Sequence, residues 1–237
     1  MTKFKVLDLF SGIGGFSLGL ELTGGFETVA FCEIEPFPRK VLAKNWPETP
    51  IYEDVRTLTA ERLTADGIAV DVICGGFPCQ DISTAGLGAG LSGGRSGLWF
   101  QYQRLIKEIQ PRYTIIENVS ALRSRGLDQV LWSLSEIGYD AEWHCIPAAA
   151  IGAPHRRDRI WIVAYPHSAH IEGGRLSSGT YAKYANTVSA GWWEVEPAVG
   201  RVANGLPKQS HRLKALGNAV VPQIPELIGR AILEARA

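Results

Sequence analysis

The run Val70-Asp71-Val72-Ile73-Cys74-Gly75-Gly76-Phe77-Pro78-Cys79-Gln80-Asp81 sets a thiol where chemistry could be done. Its first five residues, apolar with one acid, suit a buried strand. Gly75, Gly76 and Pro78 then stop that strand and force a tight turn. Cys79 falls just past the carboxyl end of the strand, where open α/β sheets keep their ligands. A thiolate there could be a nucleophile. A free cysteine can equally be a small buried hydrophobe, and position alone leaves both readings open.

A second signal lies near the start. Lys5 to Phe10 reads as a strand and runs directly into Ser11-Gly12-Ile13-Gly14-Gly15-Phe16-Ser17-Leu18-Gly19-Leu20-Glu21. Glycines at a strand-to-helix turn let the backbone approach a ligand, and the helix N-terminus adds unpaired N–H groups. The turn is of a nucleotide-binding kind. Ser17 stands where G-x-G-x-x-G needs its third glycine, so a dinucleotide is not favoured. Glu33 and Glu35 follow the next strand, and an acid ending a second strand commonly holds ribose hydroxyls. Alone, Glu33 could also be a solvated strand end.

Glu117 ends the apolar strand Tyr113-Thr114-Ile115-Ile116 and emerges on the same sheet edge as Cys79. Arg157 and Arg159 flank Asp158 ahead of Ile160-Trp161-Ile162-Val163, so both lie on one face if the strand begins early. A surface ion-pair pattern is the plainer alternative for the arginines, and a capping or solvated acid for Glu117.

Taken in order, these segments resemble the cytosine-C5 DNA methyltransferases, which use S-adenosylmethionine (SAM). Asp8-Leu9-Phe10-Ser11-Gly12-Ile13-Gly14-Gly15 is similar to that family's SAM-binding turn, and Phe77-Pro78-Cys79-Gln80 to its nucleophile loop. Glu117-Asn118-Val119 matches its Glu-Asn-Val. Arg157-Asp158-Arg159 matches the arginines of Gln-x-Arg-x-Arg, with His155 in place of the glutamine. Gly217-Asn218-Ala219-Val220 matches its C-terminal Gly-Asn motif.

The resemblance implies Cys79 as nucleophile and Glu117 as proton donor to ring N3, with Arg159 orienting the base and Arg157 nearer the nucleic-acid backbone. Carbon 5 of cytosine is a poor nucleophile. Thiolate addition at carbon 6 makes carbon 5 carbanion-like, and a carboxylic acid of raised pKa can relieve the charge at N3. Phe10, Gly12, Ile13, Gly14, Gly15, Glu33, Ile34, Asp54, Leu98, Asn218 and Val220 would line the SAM site, Glu33 at the ribose and Asp54 at the adenine amino group. Gln80, Ser83 and Arg95 would meet DNA. The implied partner is double-stranded DNA with its target base flipped out of the stack. The implied enzyme is a monomer of a bacterial or phage-infected cytoplasm, and the resemblance admits a cognate restriction endonuclease as a partner. A tRNA-methylating branch shares these motifs, and a binding-only relic is the non-enzymatic alternative.

The elements that must position these groups alternate strand and helix, which predicts a parallel-type sheet. Strands are expected near 4–10, 27–33, 50–53, 70–75, 112–117, 139–146 and 158–164. Helices are expected over Gly15–Leu22, Pro36–Asn45, Ala60–Ala65, Gly97–Ile109, Gln129–Ile137 and Pro222–Ala235. The resemblance makes this an α/β Rossmann-like mixed sheet with helices on both faces. Residues 1–164 would be the catalytic SAM-binding domain, 165–204 a reduced target-recognition region and 205–237 a segment returning to the catalytic domain. Five glycines (Gly86, Gly88, Gly90, Gly93, Gly94) make 83–96 a loop by composition. Trp192-Trp193 could stack on bases or, more simply, fill a small core.

A chain of 237 residues that is 46% hydrophobic can bury one large core. No stretch approaches the roughly 18–20 apolar residues of a membrane span, and no apolar signal region opens the chain. The four cysteines lack C-x-x-C spacing, and His167 with His170 finds no third ligand nearby, so no metal is expected. Reduced, cytoplasmic thiols are the simplest reading. A net charge of zero argues against a broadly basic surface, leaving His155-Arg156-Arg157 and Lys208 to Lys214 as local basic clusters.

Overall fold

The computed structural model describes residues 2–78, 97–153, 156–169 and 215–235. The strands are β1 (Phe4–Leu9), β2 (Phe26–Cys32), β3 (Ile51–Tyr52), β4 (Val72–Gly76), β5 (Tyr113–Val119), β6 (Tyr139–Pro147) and β7 (Asp158–Pro166). They form one sheet in the order β3-β2-β1-β4-β5-β7-β6. Pairing from β3 through β5 is parallel, and β7 runs antiparallel to both β5 and β6. The strand order reverses between β1 and β4. That switch point opens a crevice at the carboxyl ends of the strands.

The helices are α1 (Gly15–Leu22), α2 (Pro36–Asn45), α3 (Ala60–Ala65), α4 (Gly97–Ile109), α5 (Leu122–Arg125), α6 (Leu127–Glu136) and α7 (Gln223–Ala235). The one-turn α5 was not expected from the sequence. Gly126, at φ 146°, separates it from α6 and breaks what would otherwise be one helix.

Successive strand residues point to opposite faces, and both faces are buried, as parallel sheets require. On one face Leu7, Leu9, Ile73, Ile116 and Ile162 pack against Trp99, Tyr102, Leu105 and Ile106 of α4 and Val130 and Leu134 of α6. On the other, Val6, Val72, Cys74, Ile115 and Trp161 pack against Phe16 and Leu20 of α1 and Ile224, Ile228 and Ile232 of α7. Each such side chain, fully buried, contributes about 1.5–3 kcal/mol. The two helical layers hold the carboxyl edge of the sheet in place, and the site hangs from that edge.

Among the described residues no helix is long and apolar enough to cross a membrane. No cluster of three His, Cys, Asp or Glu side chains that could hold a metal occurs among them. His167 pairs with Asp140 at 3.0 Å. His170 and the Trp192-Trp193 pair lie outside the described residues.

Candidate active site

The turn after β1 is fixed from below. Ser11 Oγ donates to the Asp8 carbonyl at 2.5 Å and lies 3.3 Å from both the amide and the carbonyl of Cys32. Phe10, at φ 53°, holds a left-handed conformation costly for a residue with a side chain. Gly12 and Gly14 take similar angles where only glycine is comfortable. A Cβ on Gly14 would strike the Trp46 ring at 2.6 Å, and one on Gly15 would lie 2.5 Å from the Val220 carbonyl. A Cβ on Gly12 would meet nothing within 4 Å. The turn is therefore packed underneath and open above.

Glu33 answers that opening from the end of β2. Its Oε2 accepts the Gly12 N–H and its Oε1 the Glu35 N–H, both at 2.7 Å. Each oxygen keeps further acceptor capacity. Ile34, next in the chain, is 60% exposed. An open glycine, a fixed acid and apolar surface from Phe10 and Ile34 fit a ribose diol beside a flat base, which is what SAM presents.

The second half of the site lies across β4 and β5. Gly76 pairs with Glu117, and a Cβ on Gly76 would approach Glu117 Oε2 at 2.7 Å. Glu117 Oε1 accepts from Arg159 Nε at 2.8 Å. Burial raises the Glu117 pKa, opposed in part by the Arg159 and Arg157 cations. Asn118 Nδ2 donates to the Phe77 carbonyl at 2.9 Å, one residue before Pro78.

Arg157 falls just outside β7, with φ 35°. A strand face shared with Arg159 is expected only if the strand begins early; β7 begins at Asp158 and leaves Arg157 outside it. Its Nη1 and Nη2 donate to the carbonyls of Gly217 and Ala219 at 2.8 and 2.7 Å, so both terminal nitrogens are engaged within the protein.

Both halves open into one cavity of about 660 Å³. Phe10, Gly12, Glu33, Ile34, Glu117, Arg157, Arg159 and Asn218 line it, as do Phe77 and Pro78. The other expected cofactor residues stand apart from that lining. Gly14, Gly15 and Val220 form the packing beneath the turn, and Ile13 is half-buried within it. Leu98 packs against the core. Asp54 is held by the Arg56 guanidinium, which keeps its pKa low. Cys79, Gln80, Ser83, Arg95 and His155 lie outside the described residues.

Sequence reasoning gave no role to Asp8. It is fully buried and accepts from Ser17 Oγ at 2.8 Å. Burial pushes its pKa to about 8. The signal was an acid inside an otherwise apolar strand. Of the other cysteines, Cys32 and Cys74 are buried, and burial lifts both thiols, Cys32 to about 12, away from thiolate chemistry.

The sheet order and the crevice at its carboxyl edge are those of a Rossmann-like fold. The profile of the C-5 cytosine-specific DNA methylases matches residues 4–195, and the chain belongs to that family. The Type II methyltransferase M2.BsuMI of Bacillus subtilis is 36% identical over 168 residues, covering 68% of this chain and 41% of its own. M.CviJI of Paramecium bursaria Chlorella virus IL3A is 32% identical over 222 residues, 93% of this chain and 57% of its own. A prophage-encoded DNA modification methyltransferase of Escherichia coli superposes with a TM-score of 0.60 at 28% identity, covering 76% of this chain and 50% of that one. The chain thus spans about half the length of the relatives it matches.

Proposed function

We propose that this chain transfers a methyl group from SAM to carbon 5 of a cytosine in DNA. The observation that carries the reading is the Glu117–Arg159 pair, set against Gly76 in the same cavity as the Gly12–Glu33 cradle. Phe10, Gly12, Glu33, Ile34 and Asn218 would hold SAM, with Glu33 taking the ribose hydroxyls. SAM supplies an electrophilic methyl group when bound.

The chain's own groups prepare the base. A cytosine flipped from the duplex stack enters the chamber. The Cys79 thiolate adds to carbon 6, and the electron pair of the C5–C6 bond shifts toward carbon 5. Glu117, whose pKa burial raises, gives its proton to N3. Arg159 fixes the carboxyl group and neutralises it once the proton has left. Carbon 5 then takes the methyl group, whose former bonding pair stays on the donor sulfur. A solvent base removes the proton on carbon 5. The C5–H pair re-forms the C5–C6 double bond as the C6–Sγ bond breaks and the thiolate leaves, and N3 returns its proton to Glu117. Asp54 is a further candidate for the adenine amino group, and Gln80, Ser83 and Arg95 for DNA contacts. Residues 165–204 would read the target and 205–237 would return to the catalytic domain.

Radiolabelled SAM offered with duplex DNA or with tRNA tests the reading, beside Cys79→Ala. Label should enter duplex DNA, at one short motif by bisulfite sequencing, and Cys79→Ala should bind SAM but transfer nothing. Label in tRNA alone, or substantial transfer by Cys79→Ala, overturns it.

A further inference from the structure

We infer that Arg157 is a positioning residue that clasps the chain on both sides of Asn218 and so seats Asn218 beside the cofactor turn. The inference rests on the proposed SAM site. Arg157 immediately precedes β7, whereas its acceptors lie 60 and 62 residues further along the chain. The two carbonyls, of Gly217 and Ala219, belong to the residues flanking Asn218. A guanidinium can hold two acceptors at once in a fixed plane; a lysine ammonium cannot reproduce that fork.

Independent contacts show where the clasped segment rests. The Ala219 N–H closes a turn on the Leu216 carbonyl at 3.2 Å. The Val220 carbonyl lies 2.5 Å from where a Gly15 Cβ would be, and the Pro222 carbonyl crowds Gly19 in the same way. The segment thus lies along the first turns of α1, the helix that the cofactor turn opens. Asn218 lines the cavity with Gly12 and Glu33 as a result. The left-handed φ of 35° at Arg157 costs free energy for a non-glycine residue, and the two hydrogen bonds hold it there.

The decisive comparison is of wild type, Arg157→Lys, Arg157→Ala, Asn218→Ala and the Arg157→Ala/Asn218→Ala double variant. SAM affinity by calorimetry should fall about tenfold in Arg157→Ala and by less in Arg157→Lys. The Arg157→Ala loss should largely vanish in the Asn218→Ala background, the non-additivity expected of groups that act through one another. The slope of log K for DNA against log salt should stay unchanged. Wild-type SAM affinity in Arg157→Ala would overturn the inference, and a slope smaller by about one unit would identify a phosphate contact instead. Hydrogen exchange at the Ala219 amide is the readout that does not need SAM. It should speed up in Arg157→Lys, and unchanged protection overturns the clasp. Failure of the wild type itself to bind SAM would sink the functional reading, leaving the exchange result to decide the clasp.

Discussion

Asn118 and the carbonyl of Phe77 are joined across β5 and the end of β4 by a 2.9 Å hydrogen bond from Nδ2. Asn118 Oδ1 accepts the Val119 N–H at 2.8 Å, so both ends of the buried amide are satisfied. The residue after Glu117 thereby fixes the turn that leads into Pro78 and Cys79. Asn118→Ala leaves the Phe77 carbonyl without its partner, a loss of about 1–3 kcal/mol for a buried group. Because the loss falls on the residues that lead to the proposed nucleophile, single-turnover methyl transfer should slow by about 100-fold, the cost of misplacing a reacting group by an ångström or so. SAM affinity should change less than twofold. An equal loss in both would show Asn118 to be a general stabiliser only.

On the proposed mechanism, Glu117 and Arg159 set the pH dependence. Burial raises the carboxyl pKa, so the proton-donating form persists to higher pH than for an ordinary glutamate and is lost as pH rises through that pKa. The rate attributable to this group should therefore fall on the alkaline side. The Arg159 cation opposes the rise, so Arg159→Ala should move the falling limb to higher pH while lowering the maximal rate. Glu117→Gln should cost about 10²–10⁴ in rate, the usual worth of a general acid, and remove that limb. A limb that stays in place in Arg159→Ala would exclude Glu117 as the titrating group.

The glycine turn, its flanking strand and helix, and the alternation of elements were legible because they depend on residues close in sequence. Period-two apolar runs and glycines at element ends are local facts. The acceptors of Arg157 were not legible, since Gly217 and Ala219 are brought to it only when the sheet closes and α7 docks on α1. Nor could the spacing Arg157-Asp158-Arg159 show that β7 starts between the two arginines. At Asp54 the contact is local: Arg56, two residues on, occupies the carboxylate. Glu33 was legible as a strand-end acid. Its use of both oxygens to bind Gly12 and Glu35 was not.

Asp8 supplies a stability prediction with a definite sign. Its folded pKa, about 8, lies well above that of an ordinary aspartate, so the native state retains a proton that the unfolded chain releases. Its contribution is fully present below the unfolded pKa and is lost as pH rises through the folded one. Between roughly pH 4 and 8 the slope attributable to this group is about 1.4 kcal/mol per pH unit. Asp8→Asn keeps an acceptor for Ser17 Oγ and removes the titration. Thermal unfolding should show the variant gaining on wild type steadily from pH 5 to pH 8. A constant difference across that range would show that Asp8 does not titrate there.

Substitutions at two glycines distinguish the halves of the cavity. In Gly15→Ala the new methyl would lie 2.5 Å from the Val220 carbonyl, a backbone atom that can yield only if the whole segment lifts from α1. Overpacking of this kind costs about 1–3 kcal/mol, and here the movement carries Asn218 out of the cavity. SAM binding should weaken about tenfold or more, by calorimetry. In Gly76→Ala the methyl would meet Glu117 Oε2 at 2.7 Å, the mobile end of a side chain, so the carboxyl group should swing off Arg159 with little cost to the fold. Methyl transfer should drop by about 100-fold while SAM affinity holds, since the acid loses its aim rather than the cofactor its seat. If Gly76→Ala weakened SAM binding as much as Gly15→Ala does, the chamber around Glu117 and the cradle around Glu33 would have to be one continuous cofactor site, with no separate room for a base.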